Sequence, residues 1–99
     1  MLNIEATKNT NEVIFSLRGR LDTVTAPDLE RELQQVLPGL KALTLDFENL
    51  DYISSAGLRV LLSAQKQMNK QGQMRLIHVG DAIMEILEVT GFTEILTIE

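Results

Sequence analysis

The sequence of 99 residues contains no cysteine and no tryptophan, and its single histidine is His78. Without cysteine, the chain has neither a disulfide scaffold nor a thiolate zinc site. With one imidazole, a catalytic metal site built from several histidines is not expected, and we expect neither a metal nor a cofactor. Hydrophobic residues make up 44% and charged residues 23% of the chain, which is typical of a globular protein rather than a disordered one.

Positive charge is also scarce, with nine basic residues against fourteen acidic ones and a formal net charge of -5. Because binding to nucleic acid depends on clustered lysine and arginine, we expect no nucleic-acid partner. No apolar run is long enough to cross a bilayer, and residues 1–6 lack the basic and apolar regions of a secretory signal. We therefore expect a cytoplasmic protein without direct membrane insertion.

The pattern of apolar residues predicts an α/β fold in a single domain that covers residues 1–99. Apolar and polar residues alternate over residues 2–6 and 13–17, which predicts an antiparallel hairpin whose second strand ends at Gly19. A first helix follows with Thr25 as its N-cap, and a proline-glycine pair marks its end.

The rest of the chain alternates strands with helices. The predicted elements are a strand over residues 43–47, a connection over 48–51, a second helix closing at Gly72, an apolar strand over 74–79, a third helix from Gly80 and a last strand over 94–98. His78 falls inside the apolar strand, where we expect a packed side chain. The order β-β-α-β-α-β-α-β predicts a mixed sheet in which right-handed crossovers join parallel strands behind the antiparallel hairpin.

Two adjacent serines, Ser54 and Ser55, lie where a connection becomes the second helix. A serine at such a position is favoured as an N-cap, because its hydroxyl accepts a backbone N–H. The same position suits a phosphate, since free backbone N–H groups and the helix dipole attract anions. Both interpretations stay open, and they can hold separately for the two neighbouring residues.

Two small residues, Ala56 and Gly57, follow the serines. Their lack of side-chain bulk would let a partner approach the backbone closely. Gly57 is equally explained by close packing of the helix on the sheet. The segment is therefore a candidate for a binding surface or for a packing contact.

The segment Tyr-Ile-Ser-Ser-Ala-Gly-Leu-Arg-Val-Leu, residues 52–61, resembles the loop and helix that characterise the STAS domain family of anti-sigma factor antagonists. The segment Gly-Arg-Leu-Asp, residues 19–22, is similar to the Gly-x-Leu-Asp segment of the same family. The order of predicted elements resembles that of the family over nearly the whole chain. The resemblance therefore implies a single domain of the STAS type.

This resemblance implies a phosphorylation switch. Family members are phosphorylated on a serine at the start of the second helix by an anti-sigma factor serine kinase, and a PP2C-type phosphatase removes the phosphate. The unphosphorylated form binds the kinase and frees a sigma factor. The family motifs, commonly Asp-Ser-Ser-Gly or Asp-Ser-Ala-Gly, imply Ser55 as the phosphorylated residue. Ser54, the less favoured acceptor, stands where the family carries aspartate.

The resemblance also implies a partner-binding surface at the same end of the sheet. The expected partner-binding residues are Asp22, Thr23, Ser54, Ser55, Ala56, Gly57 and Arg59. For Asp22, capping of a turn before the first helix is an equally good interpretation. Family members often carry a further C-terminal helix, which we do not expect here because Glu99 follows the predicted last strand directly.

Two other functions compete with this switch. One is a constitutive STAS accessory subunit of another assembly, such as a lipid transporter, in which Ser55 would only cap the helix. The other is a serine hydrolase with His78 as its base, but the Gly-x-Ser-x-Gly turn is missing. The glycine-rich motifs of nucleotide-binding proteins are missing as well. We therefore expect a binding protein rather than an enzyme.

Overall fold

The computed structural model describes all 99 residues, and its first two strands form the expected hairpin. The strand β1 covers Leu2–Lys8 and β2 covers Glu12–Leu21, and the two are paired antiparallel. In the turn between them, the backbone N–H of Asn9 donates to the carbonyl of Glu12 at 3.0 Å. The hairpin forms one edge of the sheet, with β1 outermost.

Three helices alternate with the remaining strands. The elements after the hairpin are α1 (Ala26–Val36), β3 (Ala42–Ile53), α2 (Ser55–Asn69), β4 (Gln73–Ile77), α3 (Asp81–Val89) and a 3-10 turn (Phe92–Glu94). The strands lie in the order β1-β2-β3-β4, and β2, β3 and β4 run parallel. The predicted α/β class, with its antiparallel hairpin and mixed sheet, is confirmed.

The core lies between one face of the sheet and the helices. Alternate residues of β2 are buried, whereas Ser16 and Arg18 on its other face are exposed. The largest fully buried side chains are Phe15, Phe47, Leu17, Leu21, Leu29, Leu43, Leu45, Ile53, Leu61, Met68, Met74 and Leu76. Burying one such side chain contributes about 1.5–3 kcal/mol. None of the helices combines the length and the apolar content needed to span a bilayer.

Two strands are longer than the sequence predicts. β2 continues past Gly19 to Leu21, because Gly19 adopts a φ of 102° within an irregular stretch of the ladder instead of ending it. β3 continues through residues 48–51, which were expected to form a connection, and ends at Ile53. Leu50 and Ile53 are buried and hold this polar stretch against the core. Both strands therefore reach the start of α2.

Two predictions near the C-terminus are wrong. His78 lies beyond the last residue of β4, where it is exposed and has a φ of 56° instead of packing within a strand. The strand expected over residues 94–98 is reduced to a single parallel bridge between Leu76 and Ile98. Gly91, with a φ of 81°, leads the chain from α3 into the 3-10 turn, which occupies the start of that segment.

The longest helix, α2, approaches the ends of β2 and β3 very closely. Gly57 in its first turn is buried, and a Cβ built there would lie 2.7 Å from Cγ of Leu21 and 2.9 Å from Cγ1 of Ile53. The backbone N–H of Ser54 donates to the carbonyl of Leu21 at 2.9 Å. Both contacts place the first turn of α2 against the sheet.

The substitution Gly57→Ala is expected to lower the free energy of unfolding by about 1–3 kcal/mol, the usual range for overpacking a core. The added methyl group meets Cγ of Leu21, which is a branch point, and Cγ1 of Ile53, and neither atom is the free end of a flexible side chain. Urea unfolding at neutral pH provides the measurement.

The matched control is Gly80→Ser, because Gly80 is the N-cap of α3 and a Cβ added there meets nothing within 4 Å. Since serine is also favoured at an N-cap, the stability of this variant should stay within about 0.5 kcal/mol of wild type or rise. Equal stability of Gly57→Ala and wild type would contradict the close-packing account.

Candidate functional site

The loop between β2 and α1 meets the start of α2 at one end of the sheet. Arg20 is paired with Tyr52, and Leu21 with Ile53, in the parallel ladder between β2 and β3. The next residues on each side are the loop Asp22-Thr23 and the two serines. The structure thus brings together the two sequence segments that were singled out separately, residues 19–22 and residues 52–61.

The two serines occupy different positions. Ser54 is the half-buried N-cap of α2, and its hydroxyl oxygen accepts the backbone N–H of Gly57 at 3.5 Å. The carbonyl of Ser54 accepts the N–H of Leu58 at 2.9 Å, which begins the helix. Ser55 is the first helical residue, and its side chain is exposed. The N-cap interpretation therefore applies to Ser54 and leaves the hydroxyl of Ser55 accessible to a partner.

The first turn of α2 carries no acidic residue. The first turns of α1 and α3, in contrast, contain Asp28 and Asp81. Acidic side chains at these positions interact favourably with the positive end of a helix dipole. At the start of α2, the partial positive charge is left without such a partner.

Asp22 closes the loop between β2 and α1 through hydrogen bonds. Its Oδ1 accepts the backbone N–H groups of Val24 at 3.0 Å and Thr25 at 3.1 Å. The bond from the Thr25 N–H is the largest cause that holds the pKa of Asp22 below its usual value. Within the chain, Asp22 therefore acts as the cap of a turn, which is one of its two predicted roles.

Thr25 is the N-cap of α1, as predicted, but its hydroxyl does not bond to the helix. The hydroxyl accepts the N–H of Asp22 at 2.9 Å and donates to the carbonyl of Arg20 at 2.7 Å. Thr25 is buried and thereby ties the end of β2 to the start of α1. The loop that carries Asp22 and Thr23 is consequently well defined.

Exposed side chains surround this loop. Val24 is 83% exposed and Tyr52 is 37% exposed. The guanidinium carbon of Arg20 lies 4.3 Å from the centre of the Tyr52 ring, and its Nε lies 3.7 Å from Oδ2 of Asp22. Tyrosine and arginine are enriched at protein interfaces. Arg20, Val24 and Tyr52 were not among the expected partner-binding residues. The pairing that brings Arg20 beside Tyr52 depends on the lengths of β2 and β3, which exceed the predicted ones.

A shallow groove of about 290 Å³ lies between the first turns of α1 and α2. Its lining residues are Thr23, Ala26, Pro27, Glu30, Ala56, Arg59 and Val60. Three members of the expected partner-binding set, Thr23, Ala56 and Arg59, therefore share one surface. Gly57 is buried against Leu21 and Ile53, which favours its packing role.

His78 does not belong to this site. The residue before it, Ile77, pairs with Asp46, which lies seven residues before the end of β3 at Ile53. Seven strand residues span about 23 Å at roughly 3.3 Å each. The structure therefore does not bring His78 to Ser55, as a serine hydrolase would require.

Comparisons with known proteins give a consistent family. Residues 3–99 match the family model of the STAS domain. BtrV of Bordetella bronchiseptica, provisionally described as an anti-sigma factor antagonist, is 41% identical over 85 residues, which are 84% of this chain and 73% of BtrV.

Solved structures show the same fold. An anti-sigma factor antagonist from Mycobacterium paratuberculosis superimposes with a TM-score of 0.89 at 22% identity, covering 99% of this chain and 85% of that one. Unphosphorylated SpoIIAA, also an anti-sigma factor antagonist, superimposes with a TM-score of 0.79 at 15% identity, covering 98% and 87%. Its phosphorylated form, from Bacillus, has a TM-score of 0.76 at the same identity, covering 98% and 91%.

The different positions of the two serines predict different effects on stability. Ser54→Ala should lower the free energy of unfolding by about 1 kcal/mol, because it removes the hydroxyl that accepts the Gly57 N–H. Ser55→Ala should change it by less than about 0.5 kcal/mol, because the residue is exposed. Chemical denaturation of both variants measures the difference, and the reverse order of stabilities would contradict the assignment of Ser54 as the cap.

The lowered pKa of Asp22 predicts a pH-dependent contribution to stability. This contribution is fully present above the unfolded-state value of 3.8 and is lost as the pH falls through the lower pKa of the folded protein. Wild type should therefore be more stable than Asp22→Asn at pH 7, and the difference should shrink when the pH falls below 3.8. Urea unfolding of both proteins across this range measures it, and a difference that is constant with pH would refute the prediction.

Proposed function

We propose, because this chain belongs to the STAS domain family, that it acts as an anti-sigma factor antagonist controlled by phosphorylation of Ser55. In its unphosphorylated form it binds an anti-sigma factor serine kinase in the cytoplasm and thereby frees a sigma factor. The kinase transfers the γ-phosphoryl group of ATP to the hydroxyl oxygen of Ser55, which loses its proton as ADP leaves. A PP2C-type phosphatase hydrolyses the phosphate ester and restores binding.

The observation that carries this proposal is the position of Ser55. It is exposed at the first position of α2, while the neighbouring Ser54 is engaged as the cap. A phosphate on Ser55 would lie at a helix N-terminus with no carboxylate in its first turn. Phosphorylation is therefore compatible with the fold and adds nearly two negative charges to the surface.

The surroundings of Ser55 support a protein partner. The loop Asp22-Thr23, the exposed Val24 and the ring of Tyr52 lie at the same end of the sheet as the start of α2. A partner that covers these side chains would also cover Ser55. The two solved forms of SpoIIAA, unphosphorylated and phosphorylated, agree with a switch that changes binding while the fold is retained.

Arg59 gives the phosphate a neighbour on the helix. It lies four residues after Ser55, and residues at this spacing share one face of a helix. Arg59 is exposed and lines the groove beside α1. In the phosphorylated protein, an ion pair between the phosphate and Arg59 would withdraw this side chain from the partner surface.

Paired capture from an extract of the native cell tests the proposal. Wild type and Ser55→Ala should both retain a serine kinase, because neither carries a charge at this position. Ser55→Asp should retain at least about tenfold less, since an unpaired charge in a desolvated interface costs several kcal/mol. Ser63→Asp, which places the same charge at an exposed position of the same helix, is the matched control and should bind like wild type.

Two results would contradict the proposal. Capture of the same partners by wild type and Ser55→Asp would instead identify a constitutive subunit, especially if those partners were components of a transporter. Loss of the kinase with both Ser55→Asp and Ser63→Asp would show that helix charge in general, rather than the position of Ser55, decides binding.

A further inference from the structure

A second cluster of side chains, two carboxylates and an imidazole, lies on the sheet away from Ser55. Asp46 and Glu48 are two residues apart in β3, and His78 follows the end of β4. The Nδ1 of His78 is 3.0 Å from Oδ1 of Asp46 and 3.9 Å from Oε1 of Glu48. The partner-binding surface proposed above uses none of these three residues.

The cluster forms because β4 ends before β3 does. β4 stops at Ile77, opposite Asp46, so the following part of β3 is paired only with β2. The chain turns away at His78, whose φ of 56° directs it toward α3. The imidazole thus lies beside the two carboxylates at the point where the ladder between β3 and β4 ends.

The three donor atoms lie close enough together for one small metal ion to contact all of them. One nitrogen and two carboxylate oxygens lie within 4.8 Å of one another. In a tetrahedral site with metal–ligand bonds of about 2.0–2.2 Å, neighbouring donors lie about 3.4 Å apart. The distances of 3.0 and 3.9 Å from the imidazole nitrogen bracket this value. The contact between His78 Nδ1 and Asp46 Oδ1 is a hydrogen bond, which the ion would replace as the side chains shift to hold it.

From this geometry we propose that Asp46, Glu48 and His78 bind one first-row transition-metal dication of the zinc type. An imidazole combined with carboxylates suits zinc, nickel or copper, whereas magnesium and calcium prefer oxygen ligands alone. Three protein ligands leave a fourth position to water. The ion would tie the segment between β4 and α3 to β3.

The carboxylate of Asp46 is held in position before any metal binds. Its Oδ1 accepts the backbone N–H of Glu48 at 3.0 Å, and its side chain is only 20% exposed. Such hydrogen bonds orient metal-ligating carboxylates and strengthen binding. Glu48 is 68% exposed and His78 is 56% exposed, so both can adjust to the ion from the solvent side.

Calorimetric titration of the untagged full chain with Zn²⁺ tests the site. Wild type should bind one equivalent saturably, and its unfolding temperature should rise with the Zn²⁺ concentration, because the ion binds the folded form. Titration with Co²⁺ should produce visible absorption bands with the same stoichiometry.

Two ligand variants and one control complete the test. His78→Asn, which keeps a residue that tolerates a positive φ, and Glu48→Gln should each weaken Zn²⁺ binding about tenfold or more. Glu30→Gln, which removes an exposed carboxylate from α1, should bind like wild type. Circular dichroism of the metal-free variants distinguishes loss of a ligand from loss of structure. Glu48→Gln is the variant expected to disturb the fold least.

Absence of saturable Zn²⁺ binding by wild type would overturn the proposal. Equal affinity of wild type, His78→Asn and Glu48→Gln would do the same, because the ion would then bind elsewhere. Neither result would affect the proposed switch, since partner capture depends on residues at the start of α2.

Discussion

The contact between Gly57 and the ends of β2 and β3 is the constraint on which the candidate site depends. With no side chain at Gly57, the first turn of α2 lies directly on Leu21 and Ile53. The hydrogen bond from Ser54 to the Leu21 carbonyl fixes the same approach through the backbone. A helix displaced from this position would separate Ser55 from the loop that carries Asp22.

The two adjacent serines beside this contact have different roles. Ser54 faces the helix end and satisfies the Gly57 N–H, so the helix has a cap that does not involve its neighbour. Ser55 is exposed at the positive end of the helix dipole, and the first turn of this helix carries no carboxylate. Stability and proposed regulation therefore rest on different side chains, and a modification of Ser55 leaves the capping hydrogen bond in place.

Much of this arrangement could be predicted from the sequence. The elements up to α3 were indicated by the alternation of apolar and polar residues in β2 and by the helix caps at Thr25 and the paired serines. The family was indicated by the resemblance over residues 52–61. Tertiary packing decided the rest. Leu50 and Ile53 extend β3 through polar residues, which local patterns assign to a connection. His78 was predicted to pack within a strand because its neighbours in the sequence are apolar. Apolar neighbours do not show at which residue a strand ends.

Peptide-mapping mass spectrometry of the protein purified from its native cells tests directly whether Ser55 is the phosphorylated residue. We expect a phosphate on Ser55 in part of the population and an unmodified Ser54. Removal of this phosphate by a PP2C-type phosphatase should restore capture of the kinase. A phosphate on Ser54 alone, or kinase binding that is equally strong with Ser55 phosphorylated, would contradict the account.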